Sequence, residues 1–230
     1  MKEFITLVLP YITIIIFLVG MSTKFYKWFK LKNPSMTLFP RPEHGDTIQV
    51  LKETFFFPGI YKSDKPLWVG AWLFHVLLVL IFIGHLRVFF DLTSLWNLLN
   101  MNEQDVNSMS ATVGGLAGIL IMILTIYLIT RRFYLKRVRQ ITGFGDHFAL
   151  LLIISIIITG NLMRFGEHFD LKITHEYFSN LFLFSGIRIP DNPNFLVHFF
   201  LAQLLIMYIP FSKILHFGGI FFSQKALRRN

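Results

Sequence analysis

Apolar residues in this chain collect in five long runs, separated by polar and charged segments. The runs cover residues 4–21, 68–90, 111–130, 147–165 and 195–217, and each is about 18 to 23 residues long. About 20 apolar residues in a helix cross a hydrocarbon core of about 30 Å. The pattern therefore predicts an all-α integral membrane bundle of five helices, which forms a single domain over residues 1–230.

Composition supports a membrane protein. Hydrophobic residues make up 54% of the chain and charged residues only 15%, so too few polar side chains are present to coat a soluble globule. Cysteine is absent, which excludes disulfides, thiolate metal sites, an iron–sulfur cluster and the attachment motif of c-type haem. The net charge of +9 does not indicate nucleic acid, because the cations lie in short blocks beside the apolar runs.

Three basic blocks follow the first, third and fifth runs. They contain Lys24, Lys27, Lys30 and Lys32, then Arg131, Arg132, Lys136, Arg137 and Arg139, then Lys225, Arg228 and Arg229. Such blocks stay on the cytoplasmic side of a membrane. Segments 91–110 and 166–194 carry acidic residues with few cations. We therefore expect the N-terminus outside and the C-terminus in the cytoplasm.

The longest connection, residues 22–67, lies on the predicted cytoplasmic side and is interrupted by several prolines. Within it, residues 46–57 are predicted to form a short amphipathic helix with Phe55, Phe56 and Phe57 on its apolar surface. This surface either lies on lipid or docks a soluble partner, and the sequence favours neither.

Four histidines lie inside two of the apolar runs. His75 and His85 belong to the second run, and His198 and His216 to the fifth. Polar residues are costly in a membrane and mark functional sites there. Because the second and fifth helices run in opposite directions, His75 is level with His216 on the inner side and His85 with His198 on the outer side. The sequence thus predicts two imidazole pairs at two depths.

The two histidines of the second run are closer together in sequence than the two of the fifth run, so the pairs do not align along two straight helices. Ten residues separate the first two and eighteen the other two, which corresponds to rises of about 15 Å and about 27 Å. Pro210 lies between His198 and His216, so a bend in the fifth helix can absorb part of the difference.

Two imidazoles in an aromatic, apolar surround suit a six-coordinate b-type haem. Zinc or copper prefers three or four converging ligands, and these helix interiors offer no cysteine or carboxylate. Cations near the helix ends suit haem propionates, although membrane topology alone also explains Arg131 and Arg132. These cations are Arg87, Arg131, Arg132 and Lys213.

A glycine-rich stretch in the third run, Gly114-Gly115-Leu-Ala-Gly118, favours close helix packing. The alternative interpretation is that the bare helix surface at these glycines makes room for a flat cofactor.

At this point the chain resembles the gamma (cytochrome b) subunit of respiratory nitrate reductase and its relatives in sulfur-metabolising complexes. The similarity covers nearly the whole chain. It rests on both histidine spacings, the order of the helices and four stretches: Leu73-Phe-His75 with Ile83-Gly84-His85, the glycine-rich helix, Arg131-Arg132 through Arg139, and His198 with Pro210 through His216.

The resemblance implies an inner haem b on His75 and His216, an outer haem b on His85 and His198, and quinol chemistry beside the outer haem. Gly84 and Arg87 are candidates for contact with quinone or a propionate. Arg131 and Arg132 are candidates for contact with a propionate.

The resemblance also implies that the chain lies in the cell membrane of a prokaryote and exchanges electrons with a cytoplasmic iron–sulfur subunit. Further membrane or outer redox subunits are compatible with it.

The chain departs from nitrate reductase subunits in two places. Those carry a lysine just before the third helix, where this chain has Val106-Asn107-Ser108. The connection 22–67 is also longer. The missing lysine leaves the quinone-binding residues open, with Arg87 as the substitute candidate. The longer connection indicates a different soluble partner and favours the relatives that dock heterodisulfide-reductase-like proteins in menaquinone-linked complexes of anaerobic sulfur metabolism, over a nitrate reductase subunit.

Two other classes compete with electron transfer. One is an ion or metal transporter with histidines along its path, which requires polar residues on several helices. The other is a structural anchor with coincidental histidines. His44, His147, His168 and His175 fall in predicted loops or at helix ends, where we expect ordinary solvated roles.

Overall fold

A computed structural model describes residues 1–30, 46–90, 92–166, 171–184, 188–216 and 219. Several predictions fall on residues outside these ranges. They concern the prolines at 34, 40 and 42, Lys32, the acidic residues Asp91, Glu167 and Asp170, the histidines His44 and His168, the C-terminal basic block, and residue 217 at the predicted end of the fifth helix.

Five helices in the described residues are long and apolar enough to cross a membrane, which confirms the predicted architecture. They are Phe4–Lys30, Lys65–Phe89, Glu103–Tyr134, Phe144–Phe165 and Pro193–Phe211. We name the regular α-helical parts α1 (Leu9–Lys30), α4 (Lys65–Phe89), α6 (Glu103–Tyr134), α8 (Phe144–Phe165) and α10 (Pro193–Tyr208). Shorter helices are α2 (Asp46–Phe56), α3 (Pro58–Ser63), α5 (Thr93–Leu98), α7 (Lys136–Ile141) and α9 (Leu171–Leu183).

The helix boundaries are set by local signals that apolar runs do not show. α1 continues to Lys30, so the first connection begins later than residue 22. α6 begins at Glu103 because Asn102 and Asp105 form a reciprocal capping box. α4 begins at Lys65 because the Asp64 side chain accepts from the backbone N–H of Leu67. The predicted amphipathic helix is present as α2.

The regular fifth helix ends earlier than the predicted 195–217, and the expected departure from a straight helix occurs at Pro210. α10 ends at Tyr208, and two 3₁₀ turns follow, Ile209–Phe211 and Lys213–Leu215, separated by extended backbone at Ser212. Pro210 lacks an N–H and cannot continue a regular helix. The ten steps from His198 to Tyr208 in α10 rise by about 15 Å, as do the ten steps from His75 to His85 in α4. The chain from Ile209 to His216 departs from a straight helix, so the rise calculated for eighteen regular residues no longer applies.

The helices pack in the order α4, α6, α8, α10 and α1, each against the next. The glycines of α6 allow the closest of these contacts. The Arg164 guanidinium crosses Gly114, and the Asn161 amide donates to the Gly118 carbonyl at 3.0 Å. These contacts support the packing role of the glycine-rich stretch.

One end of the bundle is closed by α9, which the sequence did not predict. Tyr177, Phe178 and Leu181 of α9 form a buried cluster with Phe195 of α10. The Tyr177 hydroxyl donates to the Thr6 carbonyl at 2.6 Å, and burial raises the pKa of this hydroxyl, so it remains a donor.

The start of the first membrane helix is π-helical over Phe4–Val8. The Gln203 amide, buried in the bundle, donates to the Ile5 carbonyl at 3.1 Å. Tyr177 and Gln203 together bind two carbonyls of this widened turn. The irregular backbone thus has polar partners where lipid offers none.

Replacing Tyr177 by phenylalanine should destabilise the protein by about 1 to 3 kcal/mol, because the buried Thr6 carbonyl loses its side-chain donor. Tyr134→Phe is the matched control, since Tyr134 is 85% exposed. Thermal unfolding of both variants in detergent measures the difference. Equal stability of the two variants would contradict the role given to Tyr177.

Candidate functional site

The four interior histidines meet in two pairs, as predicted. The ring centres of His85 and His198 are 6.3 Å apart and the rings are nearly parallel, at 10°. The ring centres of His75 and His216 are 5.9 Å apart and the rings are nearly perpendicular, at 89°. We call these the His85 level and the His75 level. Each level joins α4 to α10 or to the turn that follows α10.

Every one of these imidazoles has its Nδ1 beside a backbone carbonyl oxygen. The distances are 2.7 Å from His75 to Ala71, 2.7 Å from His85 to Ile81, 3.1 Å from His198 to Ile156 and 3.0 Å from His216 to Lys213. A carbonyl only accepts hydrogen bonds, so this geometry assigns the proton to Nδ1 in each ring. The Nδ1 of His198 also lies 3.0 Å from the Thr159 hydroxyl, which donates to the Ser155 carbonyl at 2.9 Å. Nε2 therefore keeps its lone pair, which is the state that a metal ion requires.

The distance between paired rings fits one metal ion between them. A ligating imidazole nitrogen lies about 2 Å from its metal, and adding roughly 1 Å from nitrogen to ring centre on each side gives about 6 Å. Among the described residues, no group of three or more histidine, cysteine or carboxylate side chains is placed to hold a metal. Two ligands suit an ion whose other positions are filled by a macrocycle.

The helices around the pairs leave room for a flat group. In the described part of the chain, α4 and α10 are not close-packed neighbours of each other. Among the described residues, and apart from the neighbours of Gly84 within its own helix, nothing lies within 4 Å of where a Cβ at Gly84 would stand, so the helix surface at Gly84 is open. At Gly160 of α8, an added Cβ would lie 3.3 Å from the His198 ring. Glycine at this position lets α8 approach the ring.

Arginine side chains gather at the His85 level. Arg87 donates to the Asn107 side-chain oxygen at 3.0 Å, and it lies within electrostatic range of Arg164 and Glu103. Arg87 was a predicted site residue, whereas Asn107 and Arg164 were missed as candidates. Arg164 is near the end of an apolar run, and its sequence position alone does not show that it turns toward α6.

The two arginines predicted to bind propionates have protein partners. Arg131 forms an ion pair with Asp64, the residue that caps α4, and its Nε is buried without a partner among the described residues. Arg132 donates to Thr142 at 3.4 Å. Lys213 pairs with Asp146 at 2.8 Å. Their propionate role stays a prediction, but each already stabilises a helix end near the His75 level.

Two further histidines lie outside the pairs. His147, in the first turn of α8, stacks on Phe133 with ring centres 5.3 Å apart. The Nδ1 of His175 in α9 lies 3.1 Å from the Val88 carbonyl. Both have local structural partners, so neither needs a cofactor to explain it.

Comparison with known proteins agrees with this geometry. The sequence profile of the family described as "Nitrate reductase gamma subunit" matches residues 59–228. The chain belongs to the nitrate reductase gamma subunit family. The match includes both histidine pairs, while α1 and α2 precede it.

Two archaeal proteins are similar to this chain over most of its length. The "Hdr-like menaquinol oxidoreductase cytochrome b-like subunit" of Archaeoglobus fulgidus is 32% identical, over 94% of this chain and 76% of its own length. The protein of the same name from Archaeoglobus profundus is 26% identical over the same shares. These similarities confirm the family resemblance seen in the motifs.

The Asp64–Arg131 pair can be separated from the helix cap by substitution. Asp64→Asn retains an acceptor for the Leu67 N–H but removes the charge that Arg131 faces, so stability should fall by about 1 to 3 kcal/mol. The stability of Asp64→Ala should be lower again, by about another 1 kcal/mol, because this variant also loses the helix cap. Chemical denaturation in detergent measures both. Wild-type stability of Asp64→Asn would show that the ion pair contributes nothing.

Proposed function

We propose that this chain is the membrane di-haem cytochrome b subunit of a respiratory oxidoreductase complex. It exchanges electrons between menaquinol or menaquinone and a cytoplasmic iron–sulfur subunit of the heterodisulfide-reductase-like type. The observation that carries the proposal is the pair of bis-histidine levels, each with two imidazole rings whose centres are about 6 Å apart, the separation that suits one iron ion between two axial imidazoles. The names of the two Archaeoglobus relatives, as subunits of an Hdr-like menaquinol oxidoreductase, support the assignment of the quinol and of the soluble partner.

Each level has a defined task in this proposal. His75 and His216 hold one haem b, and His85 and His198 hold the other. A haem with two axial imidazoles supplies one-electron transfer and has no open position for oxygen chemistry. The carbonyl partners at Nδ1 fix the rings and raise the basicity of Nε2. The apolar helices around the levels exclude water, which favours the reduced, less charged form of the iron.

The orientation follows from charge. With the N-terminus outside, the basic blocks that follow the first and third apolar runs lie toward the cytoplasm, together with the His75 level. The His85 level and α9 lie toward the outer face. This places the two levels in series across the membrane of a prokaryotic cell, between a quinol site outside and a soluble partner inside. Anaerobic, sulfur-linked respiration is the setting that the resemblance suggests.

We place the quinone site at the His85 level. Gly84 leaves open surface beside His85, and Arg87 crosses from α4 to Asn107 on α6. Asn107 lies in the region where nitrate reductase subunits carry a lysine. A guanidinium there donates hydrogen bonds to a quinone oxygen as a lysine ammonium does. Arg87 thus replaces that lysine from a different helix, and Arg164 adds a second cation nearby.

The family profile favours one alternative, the gamma subunit of a nitrate reductase. The two roles differ in the soluble partner, so purification of the intact complex and identification of its subunits distinguish them. A histidine-lined transporter is the alternative of another class, and it predicts a colourless protein.

The histidine pairs predict a haem count. A pyridine haemochrome assay on the purified chain should give two b haems, and His75→Ala or His198→Ala should each remove one, because a single axial imidazole holds haem weakly. His147→Ala is the control, since His147 stacks on Phe133 away from both pairs, and it should keep both. A folded, colourless wild-type protein would refute the electron-transfer function.

Arg87 should control quinol binding without controlling haem content. Arg87→Ala should raise the KM for a menaquinol analogue about tenfold to hundredfold, because a charge-assisted hydrogen bond contributes about 1.5 to 3 kcal/mol. Arg188→Ala is the control, since Arg188 is an exposed arginine in the segment predicted to lie outside. Steady-state quinol oxidation by the complex measures KM. Equal KM values in the two variants would move the quinone site elsewhere.

A further inference from the structure

The turn between α2 and α3 brings an aromatic ring to the His75 level. Phe57 lies at this turn with φ of 49° and ψ of 49°, in the left-handed region. Bulky residues rarely adopt this conformation. Such a residue persists only where its surroundings hold it, and strained residues of this kind cluster at functional sites.

Two tryptophans hold the turn. The Trp68 indole N–H donates to the Phe56 carbonyl at 2.6 Å, and the Trp72 indole N–H donates to the Phe55 carbonyl at 3.1 Å. The two indoles stack on each other, with ring centres 5.8 Å apart. Both tryptophans project from α4, so the last residues of α2 are fastened to the same helix that carries His75.

The spacing on α4 aligns these anchors with the ligand. Trp68, Trp72 and His75 are separated by four and three residues, so they lie on one face of the helix. The Phe57 ring is half-buried and meets the His75 ring edge to face, with centres 5.3 Å apart and planes at 71°. The neighbouring Phe56 ring is 58% exposed, and only its backbone carbonyl enters the contact.

We propose that Phe57 is a positioning residue for His75: the left-handed turn and the two indoles hold its ring where it fixes the His75 imidazole plane and closes the His75 level to water. The inference rests on the proposed function, since His75 is treated as a haem ligand. It gives the connection 46–63 a role that neither lipid contact nor partner docking supplies. No comparable turn packs on the His85 ring among the described residues.

Two spectroscopic properties report this role. The angle between the planes of two axial imidazoles sets the anisotropy of the electron paramagnetic resonance signal of ferric haem. The near-perpendicular His75 level and near-parallel His85 level should therefore give different signals. Solvent access and the apolar shell set the reduction potential, so opening the His75 level to water should lower its potential and leave the other unchanged.

The experiment compares Phe57→Ala with Phe56→Ala in the full-length chain, by paramagnetic resonance and by redox titration of both haems. Phe57→Ala should shift the signal of the His75 level and lower its potential, with the His85 level as internal reference. Phe56→Ala should match the wild type. A Phe57→Ala spectrum and titration identical to wild type, or equal shifts at both levels, would overturn the proposal.

A second, more conservative variant tests the proposal if Phe57→Ala does not fold into a haem-containing protein. Trp72→Phe keeps an aromatic ring and removes only the N–H that holds the turn, so it should shift the His75 level in the same direction by a smaller amount. An unchanged His75 level in this variant would overturn the proposal. Absence of haem signals from the wild-type protein would instead refute the proposed function, so the two failures are distinguishable.

Discussion

The hydrogen bond from each interior imidazole Nδ1 to a backbone carbonyl is the constraint on which the site depends. An unpaired polar nitrogen in a membrane interior is costly, and each ring satisfies one nitrogen locally, within its own helix or turn or on α8. The other nitrogen is then left for a ligand, in a ring whose centre is about 6 Å from that of its partner. A single type of contact thereby sets tautomer, orientation and available lone pair at both levels.

The irregular parts of the backbone serve the same arrangement. The break at Pro210 turns the chain so that His216 reaches the depth of His75, although eighteen residues separate it from His198. The π-helical turn at Phe4–Val8 is supported by Gln203 of α10 and Tyr177 of α9. In both places a departure from the regular helix is stabilised by its neighbours, and at Pro210 the departure lies between the two histidines of the fifth span.

The five spans, α2 and the pairing of histidines were all predictable from sequence. Apolar length determines the spans, and antiparallel order determines which histidine meets which. The sequence did not reveal α9, because its apolar residues are interrupted by polar ones and only Tyr177, Phe178 and Leu181 show the buried face. Arg164 and Phe57 were missed as site residues for another reason. Each acts through a tertiary contact, across Gly114 or against His75, that local pattern does not encode.

The packing of Pro210 has a consequence for biogenesis. An added methyl group at Gly20 of α1 would lie 2.7 Å from Pro210, so the turn that carries His216 rests on the first helix of the chain. The His85 level needs only α4, α8 and α10. Under the proposed function we therefore expect haem insertion to be ordered: the His85 level becomes competent once α10 has joined α4 and α8, and the His75 level only after α1 and the turn at Pro210 have met.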